Sequence, residues 1–192
     1  MPPKQRITKE AITNAAFSII EKQGMKFLTA RNVAKKMGIS TRPIYFYFSC
    51  MQDLRKEMMR RAQEILSIYI SKPYSNRISL NVASGFAFFA RDHKMLYRHW
   101  FMENNEFKDL VDEFLMDLRN RMKKDKQLIH MSQKERDDLF NKMWIFIHGL
   151  ASLIHVGLIE DDSDQFIIDT IDQMGSIVVT AAIKASLDKK KS

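Results

Sequence analysis

Cysteine, proline and glycine are all scarce in this chain of 192 residues, which holds one Cys, four Pro and six Gly. A single cysteine, Cys50, excludes an intramolecular disulfide and suits a reducing compartment. The opening MPPKQRITKE has no apolar signal region, so the expected location is the cytoplasm. No alternating apolar–polar run or hairpin signal marks a strand. The features that would announce an enzyme are missing too: there is no glycine-rich phosphate loop, nucleophile elbow, H-E-x-x-H or cysteine cluster. The histidines are His93, His99, His130, His148 and His155, and the last two lie seven apart, too far for a simple pair of metal ligands. They read as polar groups in a helix interface. No catalytic residue, metal or cofactor is expected.

Helical periodicity fills the space left by these absences. Asp53 to about Ile70 reads as one helix, with Leu54, Met58, Ile65, Leu66 and Tyr69 inward. Ile78 to Arg91 is the next, followed by a shorter one near Met95 to Met102. Asn105 is expected to cap another, in which Leu110, Phe114, Leu118 and Met122 recur every four residues. Ser132-x-x-Glu135 is a capping box opening a long helix to Ile159, and Ser163 caps the last, which runs to about Leu187. The stretch Met143 to Ile159 lacks Asp, Glu, Lys and Arg and reaches the lower limit for a membrane span, ~17 residues. Two histidines, Gly149, Ser152 and Gly157 interrupt it, so it reads as a helix sandwiched within a protein or an oligomer, with no membrane partner.

Charge is unevenly placed. Residues 1–61 hold 13 Lys/Arg against 4 Asp/Glu, a balance of +9, whereas residues 62–192 hold 18 against 19. Basicity confined to one end is the electrostatic footprint of nucleic-acid binding, because neutralising phosphates supplies most non-specific affinity. Pro2, Pro3, Lys4 and Arg6 suggest a basic arm able to lie along DNA.

Within the basic end, Thr29 to Phe48 reads TARNVAKKMGISTRPIYFYF. Thr29 is a helix cap, and Ala30, Val33, Ala34 and Met37 fall at i, i+3, i+4 and i+7 as one apolar face. Gly38 is a left-handed stop, Ser40 a second N-cap, and Pro43 fits the first turn of the next helix. Ile44 and Phe48 make that helix's inward face, leaving Thr41, Arg42, Tyr45 and Tyr47 outward. This is a helix-turn-helix layout, in which the second helix enters the DNA major groove. Arg42 suits guanine O6 and N7, Thr41 a base or thymine methyl, and Pro43 apolar contact. Tyr45 and Tyr47 reach phosphates through their hydroxyls, or pack against the neighbouring helix. Thr29 and Ala30 open the supporting helix, whose amides can hold a phosphate; Ser40 is chiefly a cap.

The pattern T-x-x-x-V-A-x-x-x-G-I-S-x-x-x-I-Y-x-Y-F, with Leu54 following and an upstream helix from Thr8 to Gln23 ended by Gly24, resembles the DNA-binding domain of TetR-family transcriptional regulators. Thr29, Val33, Ala34, Gly38, Ile39, Ser40, Ile44, Tyr45, Tyr47 and Phe48 sit where that pattern puts them. The chain departs from it at Cys50 and Met51, where the family has a serine cap and a phosphate-touching lysine, which leaves Ser49 as the cap candidate. The resemblance implies an all-α protein: a three-helix helix-turn-helix DNA-binding domain over 5–52 and a helical effector-binding and dimerisation domain over 53–192.

Two further patterns agree with it. Ile145, Gly149, Ser152 and Val156 share one face of the penultimate helix, and Ile171, Gly175, Val178, Ala182 and Ala185 share one face of the last. Small residues at that spacing allow close helix approach, and TetR-like proteins dimerise through a four-helix interface of this kind. Phe86, Phe89, Tyr97, Trp100, Phe101, Phe114, Met143 and Trp144 are candidates to line an adaptable apolar pocket. In TetR-like proteins this domain binds a small molecule, expected here to be apolar or amphipathic with its polar end near Glu103 or His99. The leading expectation is a repressor released from an inverted-repeat operator by such an effector. An architectural DNA-binding protein on the same fold, without effector, is the alternative, and an all-helical enzyme a distant third.

Overall fold

Helices begin where the sequence supplies caps. In the computed structural model, which describes residues 7–103 and 106–189, the Thr8 hydroxyl accepts the Ala11 amide at 3.1 Å and opens α1 (Lys9–Gln23). Thr29 accepts the Asn32 amide at 3.2 Å and opens α2 (Ala30–Met37). Losing either cap costs about 0.5–2 kcal/mol. At the end of α2, Gly38 takes φ 67°, and the amides of Gly38 and Ile39 return to the carbonyls of Lys35 and Ala34. A side chain is strained in that left-handed conformation, which is why the turn falls on the glycine.

The next helix, α3 (Arg42–Tyr47), starts from Thr41 rather than from the expected cap Ser40, and no side chain caps it. Pro43 in its first turn removes one of the amides a cap would have satisfied. The following helix, α4 (Met51–Ser71), is capped in reverse. Instead of Ser49 offering a hydroxyl, the Asp53 carboxylate accepts the Cys50 amide at 3.3 Å, which also places a negative charge at the positive end of the helix.

One compact unit comprises Met1–Glu64 and His93–Lys108. Here α1 packs on α2, on α3 and on the short α6 (Lys94–Tyr97), which continues into a π-turn at Arg98–Met102. Ile12, Ala16 and Ile20 recur every four residues along α1 and are buried, as are Val33, Ile44, Leu54 and Met58. Arg61 ties α4 to α1, donating to Asn14 at 2.6 Å while its guanidinium lies 4.5 Å from the centre of the Phe17 ring. Asn105 and the arm Pro2, Pro3, Lys4 and Arg6 lie outside the described residues.

The second unit comprises Ile65–Asp92 and Asp109–Ser192. Its centre is α5 (Ile78–Asp92), buried continuously from Ala83 to Ala90 and packed on α8 (Gln133–His155) and α9 (Asp164–Lys189). The preceding helix, α7 (Lys108–Met122), buries Leu110, Phe114 and Leu118. The Ser132–Glu135 capping box opens α8, and Ser186 of α9 donates to the same Glu135 carboxylate at 3.1 Å. Helix α8 stops at His155, short of Ile159, because Gly157 turns left-handed at φ 74°. At the other end of α9, Arg91 donates to Asp92, to the Asp162 carbonyl and to Asp164 at 2.7–2.8 Å. Burial works against the charge of Arg91, but its hydrogen bonds to Asp92 and Asp164 outweigh this and raise its pKa.

Two helices approach closely at Gly85, where a Cβ would stand 2.4 Å from the Tyr69 carbonyl oxygen and 2.6 Å from the Ile70 Cα. Both are helix backbone and cannot swing aside. Gly85→Ala is therefore expected to lower the unfolding free energy by ~1–3 kcal/mol, the usual cost of overpacking, despite alanine's better helix propensity. Urea denaturation of the variant against the parent measures this, and an unchanged or raised midpoint would contradict it.

Candidate nucleic-acid interface and apolar cavity

Two side chains anchor α3. Ile44 and Phe48 are buried four residues apart, and the Lys9 ammonium lies 5.3 Å from the centre of the Phe48 ring. Anchoring that face turns the other outward, where Arg42 and Tyr45 are exposed and Thr41 and Pro43 half-buried. Phe46 is 79% exposed, the extreme among large apolar residues described, and lies four residues beyond Arg42 on the same outward face. The motif I-Y-x-Y-F passes over its variable position, so sequence reasoning missed this residue. An exposed phenyl ring with nothing to cover it in the monomer was the available signal.

Tyr47 is half-buried, and its hydroxyl donates to the Ile7 carbonyl at 3.0 Å. Its ring lies edge-on to Phe46 at 4.9 Å. Ala30 is buried and the Thr29 hydroxyl is occupied as a cap, so α2 presents the exposed cations Arg31, Lys35 and Lys36 instead. Ser40 is exposed and Cys50 is an exposed free thiol.

In the second unit, α5, α7, α8 and α9 line a partly open cavity of about 380 Å³, within the ~300–1,000 Å³ range of small-molecule sites. Its apolar wall includes Leu80, Phe86, Leu118, Met143, Trp144 and Ile147. The Phe86 and Trp144 rings meet edge-on at 5.0 Å, and Trp144 stacks on Phe140 and His148. Burial holds the His148 pKa below its ordinary value. Its polar lining includes Arg77 and Asp172, which pair with each other, and the exposed residues Ser176, Thr180 and Gln127.

Of the eight residues expected around a pocket, Phe86, Met143 and Trp144 line this cavity. Phe89 is buried outside the lining, edge-on to Tyr69 at 6.1 Å, and Phe114 is likewise buried outside it. Tyr97, Trp100 and Phe101 belong to the first unit, where Phe101 packs on both of the others. Glu103 and His99 are no polar end for it either, since both lie in the first unit and bond each other at 2.9 Å.

The last two helices divide unequally. On α8, Ile145 (73% exposed), Gly149 and Val156 face outward and Ser152 is half-buried. On α9 the expected outward stripe points in except at Ala185, which is exposed. Ile171 is buried, Gly175 lines the cavity, and Val178 and Ala182 pack against the cluster Leu128, Met131 and Leu139. The exposed large apolar residues of α9 are Met174, Ile177 and Leu187, with Ile177 67% exposed. Both faces of α9 are apolar, so periodicity alone could not choose between them. The same property makes Asp164–Leu187 the one described helix long and apolar enough to cross a membrane, with only 11% of that window buried. The segment Met143–Ile159, weighed for the same role, spans the end of α8 and the turn after it.

A basic three-helix module with a capped supporting helix, a left-handed turn and a short anchored second helix defines a helix-turn-helix DNA-binding protein. Residues 12–58 match the family described as bacterial regulatory proteins, tetR family. No curated protein matches it by sequence. Among solved structures, a transcriptional regulator from Rhodococcus sp. RHA1 is similar at TM-score 0.68 and 15% identity, covering 91% of this chain and 97% of its own. A TetR-like transcriptional regulator from the same source gives TM-score 0.61 and 13% identity over 88% of this chain and 96% of that one. A TetR variant from Acinetobacter baumannii AYE in complex with minocycline gives 0.53 and 13% over 94% and 99%. At these identities the likeness establishes the all-α fold.

The lowered pKa of His148 sets a pH dependence. With the folded value below the ordinary 6.5, the unfolded chain takes up the proton first as pH falls, so stability declines below that value and levels off beneath the folded pKa. His148→Gln should flatten the stability profile between about pH 7 and 5, measured by urea denaturation across that range. An unchanged slope would contradict the assignment.

Proposed function

We propose that the chain is a homodimeric cytoplasmic repressor that binds an inverted-repeat operator and is released from it by a small apolar ligand held in the cavity. The observation that carries the DNA-binding half is the outward face of α3. A guanidinium, a phenol and an uncovered phenyl ring (Arg42, Tyr45 and Phe46) stand on a short helix fixed by two buried anchors, within a segment of net charge +9 from 13 Lys/Arg against 4 Asp/Glu. Arg42 pairs with guanine O6 and N7, while Phe46 makes apolar contact of the kind that favours a thymine methyl. Tyr45, Thr41, Pro43 and the exposed cations of α2 contact backbone or base edges. Tyr47, Thr29, Ala30 and Ser40 support the face from behind.

The outward surface of α8 and α9 pairs two chains. Ile145, Gly149, Ser152 and Val156 meet Met174 and Ile177 across a two-fold axis, covering the exposed apolar side chains of Ile145, Val156, Met174 and Ile177. The absence of any Cβ neighbour around Gly149 within the chain leaves room there for a partner helix. Release is a population shift: the ligand must bind more tightly to the conformer that fits the operator poorly. A partly open, largely apolar cavity of about 380 Å³ favours this reading over the architectural alternative, which has no use for one.

Duplex selected from a random library tests the first half. Arg42→Ala should cost ~1–3 kcal/mol and relax preference at one position per half-site, and affinity should fall steeply with salt. Unaltered specificity in the variant, or salt-independent binding, would contradict the assignment. Ile177→Asp tests assembly: a carboxylate in an apolar interface should give monomers by sedimentation and abolish tight operator binding, whereas an unchanged dimer would remove α9 from the interface.

A further inference from the structure

Which ligands the cavity admits is decided by its polar lining. Arg77 and Asp172 are the charged residues of the described lining, and each is committed to the other. Asp172 also accepts the Ser176 hydroxyl at 3.2 Å from the next turn of α9. Arg77 is held from behind by a knot of hydrogen bonds. Its amide donates to the Ser75 hydroxyl at 3.0 Å, the Ser75 amide donates to Asn81 Oδ1 at 2.6 Å, and Asn81 Nδ2 returns to the Ser75 carbonyl at 3.0 Å. The pair is thus built into the start of α5 and the middle of α9, and the charges lining the cavity sum to zero.

We propose that the Arg77–Asp172 pair is a charge filter: the cavity takes an uncharged apolar molecule bearing one hydroxyl or carbonyl group, and rejects cations and anions of the same shape. This rests on the reading of the cavity as the effector site. An entering carboxylate gains Arg77 only by crowding or displacing Asp172, and an entering ammonium gains Asp172 only by crowding Arg77. Either way an ion taken from water into a largely apolar cavity finds no free counter-charge there, and its desolvation is not repaid. The aromatic wall around Phe86 and Trp144 offers an anion no compensation. A hydroxyl or carbonyl instead meets Ser176, Thr180 or Gln127 and leaves the pair intact, so burial of the apolar body is retained as affinity.

Three probes of one shape test this: 4-biphenylmethanol, 4-biphenylcarboxylate and 4-biphenylmethylammonium, titrated into the full-length dimer at pH 7 by calorimetry, with tryptophan fluorescence as a second readout because Trp144 lines the cavity. The alcohol should bind at least tenfold more tightly than either ion. Asp172→Asn frees Arg77 and should shift preference at least tenfold toward the carboxylate, and Arg77→Gln should do the same for the ammonium. An ion binding the parent protein as tightly as the alcohol overturns the filter while leaving the cavity a binding site. Folded variants that keep the parent's order of preference also overturn it. Failure of all three probes to bind overturns the effector reading and the filter together. Circular dichroism establishes folding of each variant, and if one does not fold, the comparison on the parent protein decides.

Discussion

Six residues are too few for a helix to persist alone, because nucleation costs more than so few internal hydrogen bonds return. Everything functional about α3 therefore depends on what pins it from outside. Ile44 and Phe48 are buried on one side, Gly38 fixes the angle of approach from α2 with a left-handed turn, and the Tyr47 hydroxyl ties the helix to Ile7. The exposure of Arg42, Tyr45 and Phe46 follows from that pinning. A side chain on such a helix is preorganised for the major groove only as far as its anchors hold, so the apolar core of the first unit and its DNA-binding surface are two aspects of one arrangement.

The second unit meets a different constraint, since α9 is apolar on both faces. One face lines the cavity through Ile171, Gly175 and Val179, and the other remains uncovered at Met174 and Ile177. A helix of this kind is stable in water only if something covers its second face, and a second copy of the chain answers that need without invoking a membrane. Ligand and partner would then address opposite sides of one helix, which is a direct physical route by which filling the cavity can alter the pairing of two chains.

Much of this was legible in the sequence because it rests on local chemistry. Thr29, Ser132 and Ser163 announced their caps, Gly38 its turn, and the four-residue recurrence of Ile44 and Phe48 the buried face of α3. Less legible was anything requiring a choice between equivalent faces. Val178 and Ala182 were assigned outward, yet pack against Leu128, Met131 and Leu139, because small apolar residues suit an intrachain contact as well as a partner. The aromatics of Tyr97, Trp100 and Phe101 look like pocket material in composition, but their place in the first unit depends on tertiary packing that periodicity does not encode. Arg77 and Asp172 are 95 positions apart, and neither carries a motif. Phe46 escaped notice because a variable motif position draws no attention until its exposure is seen.

The central claim is that two copies of α3 read DNA together. Hydroxyl-radical footprinting of the protein on a duplex recovered by selection addresses it directly. The account predicts two protected patches on one face of the helix, centred about 34–36 Å or a multiple of that apart and related by two-fold symmetry. A single unpaired patch, or even protection along the duplex without regard to sequence, would contradict it.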